Sequence, residues 1–478
     1  MQRIYKYTSI ALLALATATM PSCKKYFALD QDPNLVNDPT LQSLLTNTTF
    51  KMGNNSYNAG STVAPYVQYL ANPTASSATD TYQQVDYSGT WDAIYYALAD
   101  ATDMKNKAVA QNSSEFIGVA DVALAYNLSL INDLWGSGPY SEAFKTNNFT
   151  PKYDSQQDVY NTCVTLINEA ITQLSKTDAT IKLNTTPTAD LVHGGDRVKW
   201  LKTAYAIKAR LLNKLSKRPN YDATAVLAAV RSSYTTNADD AGMATFITRN
   251  PWAGVALSNA NATLGGWLSE QLVDHLNGTT YGIFDPRIRK ITDPTVTNTF
   301  IGTVNGAGNR APGANTTKDE NYISQKSPWT ADTAPLLIVT YAEMKFIEAE
   351  AALRSNDRTS AYAAYLAGIN ANMDKLQVPA TDAERIAYMA SPIVAVGAAN
   401  LTLDLIFKEK YVATYLNPEA WNDARRYDYK YKDFTLPANA VLTTFIRRLA
   451  YPTSETRKNT ANVPNVGALT DRIFWDQP

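Results

Sequence analysis

A chain of 478 residues that is 45% hydrophobic can bury a large core. Its 43 basic and 44 acidic residues nearly cancel, so there is no positive excess to neutralise phosphates, and nucleic acid is excluded as a partner. With two cysteines and two histidines there is no Cys/His cluster for a metal, and no bound cofactor is expected.

Residues 1–22 read as a lipoprotein leader. Arg3 and Lys6 make a basic start, and the apolar stretch Ile10–Met20 is too short to cross ~30 Å of hydrocarbon. Cys23 follows Met20-Pro21-Ser22 where a lipobox cysteine would stand, so cleavage before Cys23 and acylation of its thiol are expected. Each buried acyl methylene would contribute about 0.8 kcal/mol to anchoring. No apolar run after the leader reads as a membrane span. Cys163 is then left without a disulfide partner, and its place among Val159, Leu166 and Ile167 predicts a buried thiol in a helix.

Asn47–Tyr87, rich in Asn, Gly, Thr and Ser, reads as loop. Helical spacing then dominates. Phe116–Leu134 is a helix stopped by Trp135-Gly136-Ser137-Gly138-Pro139. Gln156–Leu174, Asp196–Ser216 and the shorter Tyr221–Tyr234 follow. Thr235–Thr333 is irregular, with one short strand expected at Thr299–Val304; an irregular segment of this length marks the expected ligand surface. Pro335–Arg354, Ser360–Leu376 and Leu401–Leu416 complete the helices. Several come as pairs, with Ala349 and Ala352 facing Ala364 and Ala367. The predicted fold is all-α: tetratricopeptide-like helix pairs forming a scaffold, with long irregular loops and a few short strands.

Chemistry is harder to find. His193 and His275 stand outside any metal-binding spacing and read as structural or solvent-facing. There is no Gly-x-Ser-x-Gly elbow and no phosphate-binding loop, and Gly306-Ala307-Gly308 lacks the surrounding strand and helix of a dinucleotide site. Glu348 and Glu350 lie on a helix among alanines, where capping or ion pairing is expected rather than catalysis. No catalytic residue is assigned.

The motifs, taken in order, resemble the RagB/SusD family of Bacteroidetes nutrient-binding lipoproteins. They run from Ser22-Cys23-Lys24-Lys25-Tyr26 and Asp32-Pro33-Asn34 through Trp91-Asp92-Ala93-Ile94-Tyr95 to Asp133-Leu134-Trp135-Gly136-Ser137-Gly138-Pro139-Tyr140. Phe284-Asp285-Pro286-Arg287, Thr340-Tyr341-Ala342-Glu343 and Glu419-Ala420-Trp421-Asn422-Asp423-Ala424-Arg425-Arg426 continue the series, which closes with Arg447-Arg448-Leu449-Ala450-Tyr451-Pro452 and Phe474-Trp475-Asp476. Ala424 departs from the aromatic residue common there. The resemblance implies one helical domain over residues 23–478, residing lipid-anchored at the outer membrane and facing the exterior. It further implies a non-catalytic role: binding oligosaccharides and delivering them to a SusC-like TonB-dependent transporter. Oligopeptides are the alternative cargo, and a surface glycoside hydrolase is the less favoured reading.

Sugar binding calls for flat aromatic platforms beside hydrogen-bonding groups. In the irregular segments these are Tyr82 and Tyr87 near Asp80, and then Trp252, Trp267, Tyr281, Tyr322 and Trp329. Trp91 and Tyr95, one helical turn apart, read as core, and Trp135, Trp200, Trp421 and Trp475 as scaffold.

Overall fold

The computed structural model describes residues 38–260, 266–310 and 319–478. The leader and Cys23 lie outside the described residues. The chain divides into two units, Met1–Thr40 and Leu41–Pro478, and all of its helices and strands named below belong to the second.

Fifteen α-helices are found among the described residues. The first, α1 (Leu41–Val63), lies mostly where a loop was expected. Its polar and small residues face inward rather than out. Asn55 donates to the Asn127 side chain at 2.8 Å and Ser56 to the Leu337 carbonyl at 2.5 Å. A Cβ on Gly53 would meet the Met243 side chain at 2.6 Å, and one on Gly60 would collide with the Leu416 carbonyl oxygen. Composition suggested a loop because this helix packs by close approach rather than by a greasy face.

Helices α2 (Ser88–Ala110), α3 (Ser114–Trp135), α4 (Gln156–Ser175), α5 (Arg197–Lys214) and α6 (Ala223–Arg231) follow, each packed on its predecessor. Side-chain caps start three of them: Ser155 for α4, Asp196 for α5 and Asp222 for α6. All 22 residues of α3 are buried. Its length and apolarity would suffice for a membrane span, contrary to the reading of the sequence, but complete burial inside the protein makes it the core helix. Cys163 on α4 is buried, and burial pushes its thiol pKa up.

In the second half, β2 (Ala241–Met243) pairs antiparallel with β4 (Leu336–Val339). β4 occupies the start of the stretch expected to be helical from Pro335. The apolar run Leu336–Val339 suits strand and helix alike, and the helix waits for its cap, Thr340, whose side chain accepts from the Glu343 N–H. α10 (Tyr341–Arg354) and α11 (Arg358–Lys375) then form a tight pair in which Gly368 lies against the Phe346 ring. α12 (Ala383–Ala390), α13 (Leu403–Ala413), α14 (Glu419–Arg426) and α15 (Thr453–Lys458) close the chain. Between the halves lie α7 (Pro251–Ala260), β3 (Trp267–Leu268), α8 (Glu270–Asn277) and α9 (Ile288–Ile291), joined by long loops. β1 (Leu70–Ala71) pairs with β3. The strand expected at Thr299–Val304 is reduced to isolated bridges at Thr303 and Val304.

Buried ion pairs lock the helices together. Arg210 on α5 clasps Glu343 on α10 through two bonds of 2.7 and 2.6 Å. Glu350, on the same helix, takes Arg426 of α14 at 2.8 and 2.9 Å and Asn213 of α5 at 2.9 Å. Lys214 reaches Asp133 at 2.5 Å. The ion-pairing role expected of Glu350 is the one it performs. Trp135, Trp200, Trp421 and Trp475 are wholly buried, as a scaffold requires.

Candidate functional site

Backbone geometry builds the site from three distant stretches. The Asn305 amide donates to the Leu70 carbonyl at 3.0 Å and accepts from Ser269 Oγ at 2.5 Å; its own carbonyl accepts from the Ala438 N–H at 2.9 Å. Gly306 is next, with φ of +80°. A Cβ there would collide with the Ala438 carbonyl oxygen, so only glycine permits this junction. Asp80 pins the 72–87 loop to the same point, accepting N–H bonds from Asn72 at 2.8 Å and Gly306 at 3.2 Å. Burial drives its pKa up to about 6.

Beside this junction opens a cleft of about 300 Å³. Gln68 and Asn305 form part of its wall, with Gln271 and Asp274 of α8 and Thr435 of the C-terminal stretch. Gln68 is committed to the Thr435 carbonyl at 2.7 Å and Gln271 to that of Lys432 at 3.1 Å, leaving their amide oxygens as acceptors. Glu270, Asp274 and Asp433 add carboxylates. Partial burial raises the Asp274 carboxyl, and the Asp433 charge adds to this. Burial likewise raises Glu270, against the pull of Arg310. Hydroxyls, amide oxygens and carboxylates converging on one cavity of this size suit a ligand rich in hydroxyl groups. Among the described residues no aromatic ring lines this cleft.

The rings proposed from sequence lie elsewhere. Tyr82, Trp252, Trp267 and Trp329 are at most 6% exposed and offer no open face. Tyr82 packs edge-on against Tyr66, Trp252 against Tyr57, and Trp267 beside Tyr322. Trp252 and Trp329 border one small pocket with Tyr57 and Asn417. Tyr87, Tyr281 and Tyr322 are half-buried. The Tyr87 hydroxyl meets that of Tyr66 at 2.7 Å, and Tyr281 lies edge-on to His275. His275 is buried with both ring nitrogens unpartnered among the described residues, and burial lowers its pKa well below the usual value, so it is neutral. His193 Nε2 bonds Thr203 Oγ1 at 2.7 Å. Both histidines are structural. Sequence reading missed Gln68, Gln271, Asp274 and Asn305, because polar side chains in loops and short helices carry no spacing signal.

A helical scaffold presenting an open polar cleft defines a ligand-binding class of protein. The chain belongs to the SusD-like family described as starch-binding and associating with the outer membrane, whose profile matches residues 33–452. Solved structures are similar over nearly their whole length. A SusD/RagB family protein from Bacteroides thetaiotaomicron is 23% identical with a TM-score of 0.73, covering 92% of this chain and 99% of its own. A chitin-binding SusD homologue from Flavobacterium johnsoniae is 23% identical with a TM-score of 0.75, covering 90% of this chain and 98% of its own. No curated protein matches the sequence.

Proposed function

We propose that this protein is a non-catalytic, lipid-anchored protein of the outer membrane that binds oligosaccharides at the exterior and delivers them to a SusC-like TonB-dependent transporter. The carrying observation is the polar cleft at the Asn305–Gly306–Ala438 junction, lined jointly by the irregular 235–333 segment, Gln68 and the 433–438 stretch, in a chain belonging to a starch-binding family. Acceptors at Gln271 and Asp274, with the Thr279 and Thr435 hydroxyls, would bind sugar hydroxyls in place of water. Of the rings proposed from sequence, the half-buried Tyr87, Tyr281 and Tyr322 are the ones exposed enough to meet a ligand, while Tyr82, Trp252, Trp267 and Trp329 are buried; Asp80 holds the 72–87 loop at the Gly306 junction. Acylation at Cys23 would hold the protein at the membrane while cargo is passed on.

Calorimetry with a panel of soluble oligosaccharides and oligopeptides tests the reading. Saccharide binding that weakens at least tenfold in Gln271→Ala and Asp274→Ala is expected. Binding of peptides alone would overturn it, and saccharide binding indifferent to both substitutions would overturn this cleft as the place of binding.

A further inference from the structure

A second cleft of about 310 Å³ shares no lining residue with the first. Its floor is aromatic. Trp91 packs edge-on to Trp135 at 5.0 Å between ring centres, and Tyr153 stacks on Trp91 at 6.2 Å. The Tyr95 hydroxyl donates to the Pro139 carbonyl at 3.0 Å, and the Tyr153 hydroxyl to Glu455 at 2.8 Å, so the floor is fixed from both sides. Above it stand two exposed rings: Tyr96, 64% exposed on α2 with the Lys51 ammonium 5.9 Å from its centre, and Phe144, 41% exposed in the loop after α3 and edge-on to Tyr140.

Part of the polar rim is uncommitted. Lys145 and Lys458 line the cleft, and among the described residues no hydrogen bond or ion pair engages either ammonium. Asp92 accepts a long 3.4 Å bond from Ser454, leaving most of its acceptor capacity open. Two ammonium groups are balanced by the carboxylates of Asp92 and Glu455, so the cleft favours a neutral ligand over an ion. Flat rings for the C–H faces, free donors and free acceptors around one opening fit a neutral pyranose chain. The first cleft has the hydrogen-bonding groups without the rings; this one has both.

We infer that this cleft, between α2, the 139–151 loop and α15, is a second saccharide-binding site, in which Tyr96 and Phe144 stack on sugar rings while Lys145, Lys458 and Asp92 bind hydroxyls. The inference rests on the saccharide reading of the protein, but not on the first cleft being the place of binding.

The test is calorimetry on the full chain in detergent, with N-acetylchitohexaose and maltohexaose as probes. Two binding events are expected for at least one probe. The paired change Tyr96→Ala with Phe144→Ala weakens one event at least tenfold and spares the other; Gln271→Ala with Asp274→Ala does the reverse. A single event that only the Gln271/Asp274 pair removes overturns this inference and leaves the first cleft standing. A single event that only the Tyr96/Phe144 pair removes supports the inference and overturns the first cleft. Binding of neither probe, or binding insensitive to both pairs, overturns both. Both rings are exposed, so the paired variant keeps its melting transition; should it not, Tyr96→Ala alone repeats the comparison with the same criteria.

Discussion

Arg425 is fully buried and, among the described residues, has no carboxylate partner. Its guanidinium lies 3.7 Å from the centre of the Trp421 ring and 4.6 Å from that of Trp475. It donates to the carbonyls of Asp133 and Arg447 at 2.8 Å each, joining α14 to the end of α3 and to the C-terminal stretch. Burial lowers its pKa to about 10. A planar, delocalised cation between two indoles is a place that only arginine fills. Arg425→Ala strands two buried carbonyls and empties the slot, so a loss on the order of 3 kcal/mol is expected in urea unfolding. Arg425→Lys should recover little of it. Asp80 makes a prediction of opposite character. Its folded pKa of about 6 exceeds the usual 3.8, so its ionised form is disfavoured by folding, and stability is lost as pH rises through that window. Asp80→Asn keeps an acceptor for the Asn72 and Gly306 N–H groups without the charge. Relative to the parent, it should gain up to about 3 kcal/mol between pH 4 and pH 8. A constant difference across that range would refute the account. The scaffold tryptophans were legible because each lies in one of the motifs that carry the family resemblance. The ligand rings were not, since aromatic residues in irregular segments bury as readily as those in helices. Tyr96 had a signal of its own: it sits one residue round the helix from Tyr95, off the face that Trp91, Ile94 and Leu98 bury.

Elements differ in how plainly they announce themselves. The helices α3 to α6 and α11 were readable because their apolar residues recur at helical spacing and their ends carry caps or glycine. Helix α1 was hidden because its buried face holds Thr48, Thr49, Asn55 and Ser56, side chains that suggest loops until their buried partners are known. β4 was hidden because four apolar residues in a row do not distinguish strand from helix. The cleft was hidden for a third reason: it depends on pairings between residues 70, 269, 305 and 438, which no local pattern encodes. That dependence can be tested at Gly306. Gly306→Ala must displace the Ala438 carbonyl and force a side chain into positive φ. The expected cost is about 1–3 kcal/mol. Hydrogen exchange should localise it, with the amides of Ser76 and Ala438 losing protection while those of α3 keep theirs. Saccharide affinity should fall with the cleft's geometry. Uniform loss of protection across the chain would mean that the junction stabilises the whole fold rather than the site.

At the scale of the molecule, the core is cross-linked by charge as well as by apolar packing. Arg426 bridges Glu350 and Asp423, Lys410 adds to Asp423, and Arg287 joins Asp285 to Glu409. These pairs connect α10, α13 and α14 with the 285–287 turn. Glu350 and Glu409 are fully buried, which alone would raise their pKa values, but the cations around them overcome this and hold both well below the usual carboxylate range. A carboxyl depressed in the folded state lends stability that is complete above its unfolded value near 4.5 and is lost as pH falls below it. The loss runs at about 1.4 kcal/mol per pH unit for each such group. Acidification from pH 5 to pH 3 should therefore remove the stability that these two carboxylates lend, against the opposite contribution of Asp80. Glu350→Gln separates this from general acid sensitivity. At pH 7 the substitution leaves the buried Arg426 short of a charge, and the partly exposed Arg354 with it, at a cost on the order of 3–5 kcal/mol. As pH falls below 4.5 the parent loses that advantage too, and the gap between the two proteins narrows. Urea midpoints measured from pH 7 to pH 3 read the gap directly. A gap unchanged over that range would mean that the carboxylate contributes by shape and hydrogen bonding rather than by charge, and the helices would then owe their registry to packing alone.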